Sequence, residues 1–570
     1  MNGTETRMKG SSRGATSRGA LARFWLVLAF AAIGFRCASP SHAQEPAPDA
    51  PRNASDAPSD VGTEPPPLDL ARVRGYDLTV LAITGEAIGN EKARVSAIRG
   101  FSLNDRGQVA FMTEKSGGGE YLPVDLHISD GRTTRLVARQ RAEVPTTGPT
   151  MRWLDGFAQN DGGHLLIRAG RESRSQSEKH LWLFDGEGLS EIPSTKEETS
   201  NAGDEQIWTR NWVLPPNRFA INDRGDIAVC RYYPETILIG DSTGLRVLAD
   251  SRNDPSDTAG NFFGFTSIIG INNRRQVLFS AARGRDTYDF ERLFRYDPPD
   301  ASADVRDPAS GGTFHELVRM RGRLRGTSLL LDDGGGHVPY DDAALNERGQ
   351  VVMTAQVCRE ASIRRFEQEL DAILLCDISG RWKLIAMEGE PVSEEIGTVR
   401  SLSRAVLNSS GQIAFLVDVD DQEMLVPLRY EADGHFTVMA YKGQPVVPSS
   451  TLRYVTNPST PMLAPYLADG GLMLMKAVLA PADEIEPPND RTYPTDIALV
   501  ISDGRTLVEV FRLETEIRGS EAEDYHNQAG SVRDAIDVNR LGQVAFVVEL
   551  LDERQALCLC SPRLVADDRP

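Results

Sequence analysis

Apolar residues in this chain come in short runs closed off by Asn, Asp and Gly, and no stretch between them carries the spacing of an amphipathic helix. One phrase recurs: an apolar run, Asn-x-x-Gly, then a second apolar run that often ends in Phe. Five copies are complete: SLNDRGQVAF at Asn104 and Gly107, AINDRGDIAV at Asn222 and Gly225, ALNERGQVVM at Asn346 and Gly349, VLNSSGQIAF at Asn408 and Gly411, and DVNRLGQVAF at Asn539 and Gly542. Three are altered: AQNDGGHLLI at Asn160 and Gly163, GINNRRQVLF at Asn272 with Arg275 in the glycine place, and LADGGLMLM with Ala468 in the asparagine place before Gly471. Successive copies stand 50 to 74 residues apart. The phrase reads as a hairpin, because Asn heading a tight turn bonds its own backbone and Gly closing it accepts a left-handed conformation. Arg in the closing place costs on the order of 1 kcal/mol relative to Gly, so the turn at Arg275 is expected to be rearranged. A calcium or ligand loop is the competing reading, but one residue pair per unit accounts for all the copies as hairpins.

Two further phrases keep step with the first. An apolar strand followed by a corner places Gly85, Arg141 and Gly389 nineteen residues before Asn104, Asn160 and Asn408. Second hairpin turns are marked by Asp130-Gly131, Asp185-Gly186, Asp433-Gly434 and Asp503-Gly504. Each unit therefore holds four antiparallel strands without a helix, which is the arithmetic of a propeller blade. The prediction is an all-β chain forming a β-propeller of eight four-stranded blades over residues 71–565. Tyr76 to Ile88 is a fourth-strand phrase with no first strand ahead of it, and the last unit, Asp534 to Ser561, has three strands. Pairing the two completes the eighth blade and closes the ring without exposed edges.

These phrases resemble the tandem Asn-x-x-Gly-x-x-Ala-Phe repeat proteins exported by bacteria, propeller-like and uncharacterised in function. The resemblance spans residues 76 to 561, and it implies a fold and no activity. Members often end in an anchoring segment, whereas this chain ends in the charged LVADDRP.

Residues 1–43 read as a signal peptide: five basic residues from Arg7 to Arg23, the apolar run Phe24 to Phe35, then Ser41-His42-Ala43. The run is short of the about 20 residues that span a bilayer, so an uncleaved anchor is the weaker reading and no membrane span is expected after cleavage. Residues 44–70 are rich in Pro, Ala and Asp and read as a disordered tether. Removing residues 1–43 takes away six basic and one acidic side chain and moves the formal charge from −20 to −25. That balance argues against nucleic acid or anionic membrane as a partner and suits an extracytoplasmic location, periplasmic, cell-surface or secreted.

Chemical motifs are scarce. Cys230, Cys358, Cys376, Cys558 and Cys560 read as buried thiols, since an odd count leaves one unpaired and no zinc spacing is present. No Gly-x-Ser-x-Gly elbow, P-loop or dinucleotide fingerprint occurs, and no cofactor is expected apart from calcium, for which the Asp-rich LDDGGGHVPYDD at 331–342 is a candidate holder. Arg319, Arg321, Arg323 and Arg325 in VRMRGRLRG alternate with apolar or small residues and would share one face of an extended segment, an anion-binding stripe for sulfate, carboxylate or acidic glycan. A solvated strand face neutralised by nearby acids is the plainer account of the same residues. Longer insertions fall near Pro193–Pro215 and Asp297–Gly312, and in the first Trp208 and Trp212 offer aromatic surface to a sugar ring unless they pack on the blade beneath. Together these features point to a non-enzymatic binding module for a protein or surface polysaccharide. The alternative is a carbohydrate-active hydrolase or lyase using carboxylates at the propeller channel, recognisable by acids gathered beside aromatic rings at the channel mouth.

Overall fold

The computed structural model describes residues 68–565, apart from 90, 117–122, 142–150, 173–176, 194–218, 233–234, 251–261, 284–291, 300–310, 333–342, 360–368, 421–424, 450, 457–463, 483–496, 514 and 526–535. The segments read as signal peptide and most of the tether lie outside these residues. Packed structure begins at Leu68, inside the stretch read as tether: Leu70 is fully buried, and the Asp69 carboxylate accepts the Ala71 N–H at 3.1 Å to cap a single 3-10 turn, Leu70–Arg72.

The described chain is all-β, and its strands fall into eight antiparallel sheets of four main strands each. Blade 1 consists of Val95–Leu103, Val109–Lys115, Val124–Ser129 and Thr134–Arg139, paired in that order. Blade 4 consists of Phe262–Ile271, Val277–Arg283, Arg292–Asp297 and Thr313–Arg319. In blades 5, 6, 7 and 8 the first strand is split. Leu329–Leu331 and Ala344–Leu345, for example, both pair with Val351–Arg359 in blade 5. The eighth sheet is completed by the N-terminal strand Val73–Ile83, which pairs antiparallel with Gln555–Leu564 from Val73↔Leu564 to Ile83↔Ala556. The ring is therefore a β-propeller of eight blades, closed as the two chain ends foretell.

Central strands read as near-continuous apolar runs because both faces of each blade are buried. In the second strand of blade 1, Val109 and Phe111 pack toward blade 8 with Val547 and Leu559, while Ala110 packs toward blade 2 with Leu165 and Ile167. Similar clusters fill the other interfaces, such as Leu278, Leu317, Met353 and Trp382 between blades 4 and 5. Cys558 and Cys560 lie with Ala556 on one face of their strand in the core between blades 7 and 8, and all five cysteines from Cys230 onward are free thiols.

The corners behave as their phrases foretell. Gly85 and Gly389 have φ of 86° and 77°, and Arg141 adopts φ 65° in the same place. Each donates its N–H to the first strand of the next blade, at Val95, Val399 and Met151. A fourth such corner, Gly443 bonding Tyr454, lies in the similar phrase VMAYKGQPV but stands 25 residues before Ala468, out of the nineteen-residue step. The expectation that fails is the rearranged turn at Arg275. Arg275 sits at φ 62° and donates its N–H to Asn272 O at 2.8 Å, in the same turn as every glycine copy.

Candidate functional site

The repeated turn does more than reverse the chain. In five turns the Asn Oδ1 accepts backbone N–H groups two and four residues on, as Asn222 does from Arg224 at 3.1 Å and Asp226 at 2.8 Å, while Asn160 and Asn408 accept the one four residues on. The Asn Nδ2 then reaches the next blade and donates to the carbonyl of the equivalent residue. Asn160 bonds Asn222 O, Asn222 bonds Asn272 O, Asn272 bonds Asn346 O, Asn346 bonds Asn408 O, Asn408 bonds Ala468 O, and Asn539 bonds Asn104 O, at 2.7 to 3.2 Å. All seven Asn side chains are buried. A hydrogen-bonded circle thus links the turns around the channel at six of the eight junctions, open between Asn104 and Asn160 and between Ala468, which has no side-chain amide to give, and Asn539.

The fourth residue after each Asn, usually Gln, lies against the next blade's glycine. A Cβ on Gly107 would stand 2.3 Å from Gln543 Oε1, and on Gly349 2.5 Å from Gln276 Oε1. Glycine takes the left-handed φ there without strain and lets the Gln amide lie against the turn. The junction between blades 3 and 4 has both residues changed: Asp226 replaces Gln, Arg275 replaces Gly, and the two form an ion pair at 3.0 Å.

The residue directly after the Asn faces the channel: Asp105, Asp161, Asp223, Asn273, Glu347, Ser409, Asp469 and Arg540 in turn. Here the side chain of one blade accepts the N–H of the blade before it. Asp161 accepts from Asp105, Asp223 from Asp161, Asn273 from Asp223, Glu347 from Asn273, Asp469 from Ser409, and Asp105 from Arg540, at 2.8 to 3.1 Å. Five carboxylates therefore converge on one end of the channel, with the Arg540 guanidinium 3.2 Å from Asp105 as a counter-charge. Burial raises the carboxyl pKa of Asp105 and Glu347, and repulsion from Asp223 and Asp469 adds to it. At Asp161 burial, then Asp105 and Asp223, push the value up to about 7. These acids are visible beside the Asn in four copies and beside Ala468 in a fifth, but their convergence depends on the ring. No aromatic residue occurs within the eight turns. Among the described residues, no three His, Cys, Asp or Glu side chains are arranged to hold a metal ion. The Asp-rich segment read as a calcium holder lies outside the described residues after Asp332, as do Trp208 and Trp212.

The arginines of VRMRGRLRG do not share one extended segment. The outer strand of blade 4 ends at Arg319, Gly322 N–H bonds Arg319 O at 2.9 Å, and Arg321 takes φ 57° in that turn. A second turn follows, with Thr327 N–H bonding Leu324 O at 3.0 Å. The side chains still alternate: all four arginines are exposed, while Met320, Gly322 and Leu324 are buried. Arg319, Arg323 and Arg325 are brought to one open groove of about 590 Å3, floored by residues 314–319 and walled on the far side by Ser379 and Gly380 of blade 5. Arg321 is not among its lining residues.

Buried Arg295 supports this groove. It is 1% exposed, grips Asp297 through Nε and Nη2 at 2.8 and 2.9 Å, and reaches into blade 5 to Gly349 O and Ile378 O at 2.7 and 2.6 Å. Asp297 in turn holds His315 Nε2 at 3.2 Å, and Arg292 pairs with Glu316 at 2.8 Å. Trp382 donates its indole N–H to Leu317 O and its backbone N–H to Arg325 O, at 3.0 and 2.7 Å. The groove is thus tied on both sides to ordered strands, and its exposed cations can engage an anion by bidentate hydrogen bonding.

A family model described as a family of unknown function (DUF7453) matches residues 71–460, more than half of the chain. No curated protein matches. Among solved structures, dipeptidyl peptidase 4 of Porphyromonas gingivalis is 10% identical, with 86% of this chain and 68% of that one covered and a TM-score of 0.38. A protein of unknown function from Dyadobacter fermentans is 10% identical over 87% of this chain and 100% of that one, with a TM-score of 0.27. The sialidase of Trypanosoma rangeli is 11% identical over 85% of this chain and 56% of that one, with a TM-score of 0.25. Likenesses this distant say nothing of activity.

Proposed function

Because the chain belongs to a family of unknown function, DUF7453, we propose from its own residues that it is an exported, non-enzymatic binding module that holds an anionic partner, a protein or a surface polymer, in the groove between blades 4 and 5. The observation that carries this reading is the gathering of Arg319, Arg323 and Arg325 on one groove of an otherwise acidic chain. Guanidinium groups match carboxylate, sulfate and phosphate oxygens two at a time. The channel carboxylates, by contrast, are taken up in capping the neighbouring turns, and no ring flanks them within those turns.

Retention of residues 68–570 on immobilised polyglutamate and on immobilised polygalacturonate tests the reading. Retention on at least one matrix is expected, and the R319A/R323A/R325A variant should lose it while melting at an unchanged temperature. Equal retention of the variant would overturn the proposal. Export is tested separately by the mass of the protein recovered outside the cytoplasm, which should begin after Ala43.

The second reading, a carbohydrate-active hydrolase or lyase at the channel, draws on Asp161, whose value of about 7 suits a general acid at neutral pH. It requires reducing ends to be released from a polysaccharide, and the Asp161→Asn variant to abolish that release.

A further inference from the structure

We propose that the groove receives an extended acidic peptide, added as a fifth strand along the outer edge of blade 4. This rests on the anionic-partner reading above and narrows it to one class of partner.

The floor of the groove is the first observation. It is lined by six consecutive residues, Phe314 to Arg319, of the strand Thr313–Arg319. Successive strand side chains point to opposite faces of a sheet, so a groove touching every residue in a row runs along the strand's edge and meets its main chain. That strand is last in its sheet. It pairs with Arg292–Asp297 on one side, and among the described residues no strand pairs with the other, where the Leu317 carbonyl already accepts the Trp382 indole N–H and the remaining main chain is left to a partner. Such an edge is a template for a further strand.

Blade 7 supplies the precedent within the same molecule. Its outer strand, Leu507–Arg512, carries an added extended segment: Val447 N–H bonds Leu507 O at 2.9 Å, and Glu509 N–H bonds Val447 O at 2.8 Å, in parallel register. An outer blade edge of this propeller therefore accepts main-chain pairing from a further extended residue.

Charge selects the occupant. Arg319, Arg323 and Arg325 stand at one end of the edge, and the acid on the strand itself, Glu316, is engaged by Arg292. Basic residues on an edge repel a basic or second identical edge and so guard against self-pairing. The same residues admit a strand that brings carboxylates. Seven strand residues span about 23 Å, which sets the matching peptide at six to eight residues. A glycan offers the carboxylates but no ladder of amides, which is why the edge favours peptide.

The test uses three probes on residues 68–570: a Glu-Thr repeat peptide of about eight residues, the same peptide N-methylated at alternate positions, and a polygalacturonate oligomer of equal charge. Affinity is measured by calorimetry, and amide exchange is followed across residues 313–319. The unmodified peptide should bind and slow exchange in that strand, and N-methylation should weaken it about tenfold or more, the loss of one or two net hydrogen bonds. The R319A/R323A/R325A variant should bind neither peptide. If the N-methylated peptide binds as tightly, or the galacturonate binds equally with no change in exchange, strand addition is wrong while the anionic-partner reading stands. Failure of all three probes overturns both.

Discussion

At the axis, turns of near-identical sequence hold one another through buried Asn side chains at six of eight junctions. On the outer edge, a groove is walled by arginines that occur in one connection alone. The axial residues recur because every junction sets the same geometric problem, and six of the seven Asn answer it twice, within their own turn and across to the next. The groove residues recur nowhere, are exposed, and do not enter the ring's hydrogen bonding. Repetition in this chain marks what closes the ring, and departure from it marks where a partner can be read.

If that division is right, mutations at the two regions should separate cleanly. The largest effect is expected from Asn222→Ala, which removes two caps within its turn and the amide that bridges to the Asn272 carbonyl, leaving that carbonyl the Arg275 N–H alone. A loss of about 2–3 kcal/mol in chemical denaturation is expected, and a loss under 0.5 kcal/mol would mean the circle is incidental. Next comes the paired exception between blades 3 and 4. Arg275→Gly relieves a left-handed Arg but strips nearly buried Asp226 of its cation, so a net loss of about 1 kcal/mol is expected. The double variant D226Q/R275G restores the pairing used elsewhere and should recover it. A double variant no better than the single would refute the compensation.

The channel acids give the comparison a pH axis. Asp161 holds its proton to about 7 when folded, against an ordinary 3.8. The folded state thus binds a proton that the unfolded chain has released, and its contribution to stability is complete below about 4 and lost as pH rises through 7. The melting temperature should fall between pH 5 and pH 8. Asp161→Asn should flatten that slope while keeping the acceptor for the Asp105 N–H, as Asn273 does natively for Asp223 two junctions on. The smallest effect on stability is expected from R319A/R323A/R325A, within about 0.5 kcal/mol of the parent, because exposed charges contribute little. A large loss there would make the groove a structural element after all.

The fold was legible to an unusual depth, down to the N-terminal strand completing blade 8, because turn chemistry is local and the chain states it eight times. What escaped was whatever passes between copies. Nothing in NDRGD announces that its Asn will bond a carbonyl in the next copy, since the partners lie 50 or more residues apart. Arg275 looked like a broken turn for the same reason, since its compensating Asp226 belongs to another blade. The arginine stripe was half legible. Alternation told which side chains are exposed, but a strand and a pair of tight turns give the same alternation, and a non-glycine residue at φ 57° is not a sequence signal.

The exchange of Gln and Gly for Asp and Arg at a single junction fixes where this protein can be cut and rejoined. A blade transplanted whole would carry Asp226 to a neighbour with glycine, or Arg275 to a neighbour with Gln, and seat a charge or a bulky side chain where the partner is wrong. The transferable module therefore begins after the glycine place of one turn and ends at the glycine place of the next, straddling two blades. A chimera, or a duplicated unit in a longer ring, keeps its joints matched only when spliced at that boundary.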